Sequence, residues 1–591
     1  MTGKARFYSL LMLLMTGFYV AAAEEEMPDA ASRLNALFDM ERTLYYRENP
    51  ISALYAGRLD FVHGMPRVTP ADKARQQTQG RQFLSQLDGI DRAALSAENQ
   101  LNYDLFRYEL NNRVTLAAYR GWRIPFYSDS GFHTAPVRMW QVMPFRTRED
   151  YERYLTLIAD MPRYFEEQIA NLRLGMDEGF TMPKIVLDGL LPTFDFSVDK
   201  AEDSVFYGPF KNFPENMADA DVAALKAAAA DVIMDKVVKA YADLHAFMRD
   251  SYYPAARDSL GASDFPAGDV YYSALVKYYT TTDITPDEVH QIGLREVARI
   301  RAEMEAVIAR TGFKGSFADF IHFLRTDPQF YAKSEKELLM TASYIAKRID
   351  GKMPSMFRKL PRQPYGVEPV PASIAPNYTT GRYVGAPLDS NRGGTYWVNS
   401  YALDKRPLYV LPSLTLHEGV PGHHHQTALA KELKEVPEFR RQMYPHAFGE
   451  GWGLYSEKLG IEMGIYETPY EDFGRLSYEM WRACRLVIDT GIHAKGWTRD
   501  QAIALMTENS ALSLHNIRTE VDRYISWPGQ ALAYKMGELK ILELRARAEK
   551  ALGSAFDVRD FHDRVLAAGG IPLAVLEVRI DDWIKSRAGD N

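Results

Sequence analysis

Apolar residues return at helical spacing along most of this chain. Over residues 150–174 they recur every three or four positions among good helix formers, which predicts one helix. After Thr285-Pro286-Asp287-Glu288, the positions Val289, Ile292, Val297, Ile300, Met304 and Val307 keep the same period. Thr285 is placed to cap that helix, Pro286 suits its first turn, and Glu288 can reach back from the third position. Residues 334–349 and 500–506 show similar patterns. Strand patterns are scarce. Residues 364–410 are rich in Pro, Gly, Tyr and Val, and Thr395-Tyr396-Trp397-Val398-Asn399, bounded by Gly393-Gly394, is their best strand. It is expected either as an edge strand able to pair with an extended substrate or as a plain structural hairpin. The fold expected is mainly α: two helical lobes around a deep cleft, with a small β element beside the site. An N-terminal helical lobe would occupy 24–350 and a catalytic lobe 351–591, the two integrated into one domain.

Composition adds bounds to this outline. The 591 residues are 46% hydrophobic and 25% charged, enough for a large core. A net charge of −8 without a long basic run argues against nucleic acid or an anionic membrane surface as partner. Lys4 and Arg6, an apolar stretch over 7–20 and Ala21-Ala22-Ala23 predict a signal peptide at 1–23, with an uncleaved anchor as the alternative. No cysteine stands at the cleavage position, which argues against a lipid anchor. No later stretch of about 20 apolar residues follows, so no membrane span is expected after signal removal. The mature protein is expected to be periplasmic or secreted. The single cysteine, Cys484, excludes intramolecular disulfides and sits in a helical pattern, where a buried, inert thiol is expected.

The chemistry concentrates in Leu416-His417-Glu418-Gly419-Val420-Pro421-Gly422-His423-His424-His425-Gln426. Imidazole ligands beside a carboxylate able to take a proton from bound water are what a catalytic zinc site uses. The familiar zinc-peptidase helix sets its histidines at i and i+4; here that position is Pro421. Ser413 is a capping candidate for the helix carrying His417 and Glu418. At Pro421-Gly422 the helix must kink or loop out, because proline lacks an N–H and clashes with the carbonyl four residues back. In an undistorted helix, residues seven apart lie about 10 Å apart along the axis. A local bulge would draw a later histidine back towards His417. Geometry leaves His423 and His424 both open as that histidine, and it leaves open what His425 does, if anything beyond sitting in water. A merely solvated histidine cluster is the plainer alternative.

Glu450 and Glu457 are seven apart and share one helical face. Inward-facing carboxylates are costly unless paired or metal-bound. Glu450 is the candidate third ligand and Glu457 the acceptor that orients a ligand histidine; structural salt bridges are the alternative. Tyr534 is the preferred donor to a developing oxyanion. Arg485, His493 and Arg523 are further candidates for the oxyanion or a substrate carboxylate, each as readily a buried structural group.

Three motifs carry a family resemblance: His417-Glu418-Gly419-Val420-Pro421-Gly422-His423-His424, Glu450-Gly451-Trp452-Gly453-Leu454-Tyr455-Ser456-Glu457, and Pro528-Gly529-Gln530-Ala531-Leu532-Ala533-Tyr534-Lys535. Here the chain resembles the exported bacterial family known as "domain of unknown function 885", and the resemblance covers nearly all of the mature chain. Members of that family look like distant relatives of thimet oligopeptidase, angiotensin-converting enzyme and the thermostable carboxypeptidases, which are mainly helical zinc peptidases. Dipeptidyl peptidase III similarly carries an extra residue between its two histidines. The resemblance implies zinc held by His417, His423 and Glu450, with His424 as second choice, and Glu418 as general base. Gly453 stands where many members have Ala. The function expected is an exported zinc-dependent peptidase acting on short peptides. The alternatives are a metal-dependent amidohydrolase of modified amino acids and a non-catalytic metal- or peptide-binding protein.

Overall fold

A computed structural model of the chain describes residues 29–372, 374–386 and 392–589, so the expected signal peptide lies outside the described residues. The molecule is mainly helical, with one small sheet. The helix Pro286–Thr311 (α1) starts as its first residues dictate. Thr285 Oγ1 accepts the Glu288 N–H at 3.2 Å, and Glu288 Oε2 accepts the Thr285 N–H at 2.9 Å. It ends at Gly312, in the left-handed region at φ 72°. The patterns at 334–349 and 500–506 lie within Glu335–Met356 and Arg499–Asn509. The single helix expected over 150–174 is instead two, Arg148–Ala159 and Met161–Asp177. Pro162 is the reason: it offers no N–H to the turn before it and opens the second helix.

Six further helices build the site: Leu411–Glu418 (α2), His423–Lys431 (α3), His446–Glu462 (α4), Pro469–Lys495 (α5), Leu514–Ser526 (α6) and Ala533–Leu552 (α7). The sheet has strands Tyr365–Pro369 (β1), Gly381–Val384 (β2) and Gly394–Val398 (β3), in the order β1-β3-β2. β3 runs parallel to β1 and antiparallel to β2. The strand expected at an edge is thus the central one, since both its edges are taken, and the edge beside α2 belongs to β2.

α5 is the pillar of this region. Every residue from Phe473 to His493 is buried, so no face of it meets solvent. α1, α2, α6 and α7 pack around it. The faces it presents include ionised groups, and these are paired. Lys535 of α7, wholly buried, lies 2.8 Å from Glu479, 2.6 Å from Glu538 and 3.1 Å from Glu296. Arg475 adds a contact to Glu479 at 3.2 Å, and Arg299 pairs with the same carboxylate. Buried charges persist only when matched in this way, and here the matching ties α1, α5 and α7 together. Cys484 is buried in the same helix, and burial pushes its thiol up to about 12.

One contiguous core runs from Leu34 to Trp583 and crosses residue 350 freely. Phe439, for example, packs on Phe38 and Phe106 at centroid distances of 5.1 and 5.2 Å. No described helix is long and apolar enough to cross a membrane. α4 and α7 meet backbone to backbone. A Cβ on Gly537 would stand 1.8 Å from the Ala447 carbonyl oxygen, and one on Gly451 would stand 2.4 Å from the Gly537 Cα.

That contact predicts opposite outcomes for two glycines. Gly537→Ala should overpack the helix pair and cost about 1–3 kcal/mol, read as a lower midpoint in urea unfolding followed by circular dichroism. Gly351→Ala, on the helix Glu335–Met356 where a Cβ meets nothing within 4 Å, should raise the midpoint, by about 0.5–1 kcal/mol.

Candidate metal centre

α2 is buried at every residue. Pro412 opens it, and Ser413, expected as its cap, sits inside the helix with its hydroxyl 3.1 Å from that of Tyr466. The helix stops at Glu418. A tight turn, Gly419 to Gly422, follows, with a cis Val420–Pro421 peptide, and α3 begins at His423. The expected bulge within one helix is therefore a clean break into two. Gly422 donates its N–H to the Leu416 carbonyl at 3.0 Å, and the Trp452 indole donates to the Pro421 carbonyl at 2.7 Å. A Cβ at position 422 would stand 1.9 Å from the His417 carbonyl oxygen, so only glycine fits there.

The turn folds His423 back onto His417, with ring centroids 4.7 Å apart at 88°. Glu450, on the facing side of α4, completes the group. Its Oε2 lies 3.3 Å from His423 Nε2 and 3.7 Å from His417 Nε2, and the three candidate ligand atoms lie within 4.8 Å of one another. Tetrahedral ligands about 2 Å from an ion stand about 3.3 Å apart, and the two imidazole–carboxylate distances lie near that spacing, so two nitrogens and one oxygen here make a donor set of the zinc-binding kind. Glu457 Oε1 lies 2.8 Å from His417 Nδ1, which orients the ring so that Nε2 faces Glu450. Gln426 holds the far nitrogen of His423 at 2.7 Å and is itself fixed by donating to the Gly449 carbonyl. A Cβ on residue 453 would reach 2.7 Å from His417 Cε1, so this chain's glycine leaves room for the imidazole in its present pose.

Charge is concentrated here. Burial drives the Glu450 carboxyl upwards, but His423 and His417 outweigh it and hold the group well below its ordinary range. Burial likewise pushes His417 down, and Glu450 and Glu457 reverse this, raising it to about 10. Glu418 ends α2 beside the cluster, one carboxylate oxygen accepting the Tyr383 N–H of β2 at 2.7 Å. Tyr534, at the start of α7, stacks beside His417 with centroids 6.4 Å apart, and its hydroxyl lies 3.4 Å from Arg523 Nη2. His417, Glu418, His423, Glu450 and Tyr534 line one cavity of about 370 Å³, which Arg485 and Arg523 also border. Both arginines are tethered to Glu520, at 2.8 and 3.3 Å.

Three expected residues lie elsewhere. His424 turns away from the cavity, with its Nδ1 3.1 Å from the Tyr383 hydroxyl and its ring on Tyr365; burial lowers it to about 4. His425 does not sit in water: it is fully buried with its ring 4.5 Å from that of Phe357. His493 is spent on structure: Nδ1 accepts the Ala262 N–H at 3.0 Å and Nε2 meets the Tyr524 carbonyl at 2.9 Å, and burial lowers it to about 3. Residues not anticipated also join the site. The Tyr444 hydroxyl donates to Glu450 Oε1 at 3.3 Å, and Arg482 lies 3.3 Å from Glu457. Gln426, one helical turn after His423, was open to inference from spacing; the Tyr383 backbone N–H, Tyr444 and Arg482 arrive only through tertiary packing.

The chain belongs to the family described as "bacterial protein of unknown function (DUF885)", which matches residues 50–580. No curated protein matches it. It is similar to a crystal structure described as "the putative lipoprotein from Colwellia psychrerythraea", at 28% identity and a TM-score of 0.87, covering 94% of this chain and 100% of that one. It is also similar in fold to "a putative lipoprotein of unknown function from Shewanella oneidensis", at 17% identity and a TM-score of 0.70, covering 93% and 99%.

The Glu457–His417 contact makes a measurable claim. Glu457→Ala should weaken zinc binding about 10- to 100-fold, read by competition with a chromophoric chelator. Unchanged affinity would mean that Glu457 does not orient the ligand.

Proposed function

We propose that this protein is an exported zinc-dependent peptidase that hydrolyses short peptides. The observation carrying this is the convergence of His417 Nε2, His423 Nε2 and Glu450 Oε2 within 4.8 Å of one another, in the cavity that Glu418 also lines. Two imidazoles and a carboxylate are a catalytic rather than a structural donor set, since they leave a coordination position open. Zinc held there would supply Lewis acidity towards a peptide carbonyl.

The chain's own groups supply the rest. Glu418 accepts a proton from the attacking water and returns it to the departing amine nitrogen. The Tyr383 N–H fixes its carboxylate for that exchange. The Tyr534 hydroxyl, next to the Arg523 guanidinium, donates to the oxygen that gains charge as the carbonyl carbon becomes tetrahedral. A cavity of about 370 Å³ suits a few residues of extended peptide rather than a folded protein. Export to the periplasm or medium is supported by the charged, apolar and small-residue succession over 1–23. The description of a similar structure as a putative lipoprotein is compatible with an exported or envelope protein.

The purified protein should carry about one zinc per chain by elemental analysis and cleave a mixed-peptide digest followed by mass spectrometry, an activity that a chelator removes. Glu418→Gln should keep the zinc and lose about 10²- to 10⁴-fold in kcat. Full hydrolysis by Glu418→Gln would overturn the mechanism, and turnover of acylated amino acids with peptides inert would assign an amidohydrolase instead.

A further inference from the structure

Four guanidinium groups border the cavity of the His–Glu cluster: Arg382 from β2, Arg482 and Arg485 from α5 and Arg523 from α6, Arg482 being paired with Glu457 at 3.3 Å. Glu520 is the one buried carboxylate shared among them, bound by Arg485 Nη2 at 2.8 Å and by Arg523 Nη1 at 3.3 Å. Asp129, exposed on the same cavity, is the other acid near Arg382. Two donors are left over. Nη1 of Arg485, a residue only 2% exposed, has no hydrogen-bond partner among the described residues. The Arg382 side chain makes no hydrogen bond or ion pair with any described residue; it lies over the Tyr378 ring at 5.7 Å and feels the like charge of Arg523.

Like-charged guanidiniums gathered on one cavity with donors to spare make an anion site. Glu520 matches Arg485 and Arg523, and Glu457 matches Arg482, so Arg382, with the exposed Asp129 near it, is the cation whose side chain is left without a hydrogen-bonded partner among the described residues. A guanidinium matches a carboxylate with two parallel N–H donors, which a neutral amide cannot reproduce. Glu418 and Glu450 repel an incoming anion, which is drawn instead to the guanidinium groups of the same cavity.

We propose that Arg382, together with the spare donor of Arg485 and with Arg523, binds the free C-terminal carboxylate of the peptide, so that the protein cleaves from the C-terminus as an exopeptidase. This rests on the peptidase reading above and adds the end of the substrate that is recognised.

Binding separates the two claims, because it needs no turnover. The probe is one short peptide in three forms: free acid, C-terminal amide, and amide with glutamate as its last residue. Each is titrated calorimetrically into zinc-loaded Glu418→Gln protein. The free acid should bind about tenfold to hundredfold more tightly than the plain amide. Arg382→Gln should remove most of that ratio while leaving amide affinity unchanged. In the active protein the same substitution should raise KM for the free acid with kcat held, and the cleavage products should be C-terminal fragments. Equal affinity for acid and amide overturns the proposal, as does a ratio that survives Arg382→Gln. Tight binding of the glutamate amide overturns the assignment to the terminal carboxylate and gives the site to an acidic side chain. A hydrolase that cuts acid and amide alike sinks this inference and leaves the peptidase reading standing. Acid-selective binding without any hydrolysis does the reverse.

Discussion

The reversal of the chain between Glu418 and His423 is the constraint on which the candidate metal centre depends. Two histidines six positions apart cannot face one point from a continuous helix. Here the helix ends, the Gly419 to Gly422 turn doubles the chain back, and a second helix starts with His423 already facing His417. The turn is over-determined from outside. Trp452, on the helix that carries Glu450 and Glu457, holds the Pro421 carbonyl, so the element supplying the third donor also pins the loop supplying the second. Position 422 closes the arrangement, because any side chain there would collide with the His417 carbonyl.

Rigidity extends outward from that turn by contacts that admit little slack. α4 meets α7 through Gly451 and Gly537, which fixes the spacing between Glu450 on one helix and Tyr534 on the other. α5 runs behind them fully buried, and the Lys535 network joins it to α7 and α1. Close backbone contact and matched buried charge have the same consequence: neither tolerates a helix sliding along its neighbour. Such a frame keeps donors within a fraction of an ångström, as a preformed metal site requires.

Much of this was legible in the sequence, and the limits have physical causes. The mainly helical class and the α1 cap follow from local pattern and the Thr285–Glu288 pair, which act within one turn. The spacing of Glu450 and Glu457 already placed both on one face. Pro162 shows where periodicity misleads, because an apolar repeat persists across a proline that the backbone cannot. The sheet order was hidden, since an isolated strand carries no mark of which edges will be paired. His493 looked chemical because it is polar in an apolar helix; its two backbone partners come from residues 262 and 524, far away in the chain. Arg382 drew no notice for the opposite reason, as a lone arginine in a loop-rich stretch acquires meaning only when β2 sets it against Arg523.

The cavity is electrically divided, and this bears on how a substrate would lie. Around the candidate ligands stand Glu418, Glu450 and Glu457, the last paired with Arg482; near Tyr534 stand Arg485 and Arg523, with Arg382 on the same cavity from β2. A bound divalent ion would offset the charge of the candidate ligands, leaving Glu418 as the free base and Arg382 as the cation without a bonded partner. Tyr534 sits at the junction, its ring beside His417 and over the Arg485 guanidinium at 4.2 Å, its hydroxyl near Arg523. A peptide anchored at the arginine end would present the carbonyl nearest its terminus to that junction. There the group accepting a proton, Glu418 at the end of α2, and the group donating to the oxygen, Tyr534 at the start of α7, come from different helices. Polarity along the cavity would then orient the substrate, and the packing behind it would fix which bond is reached.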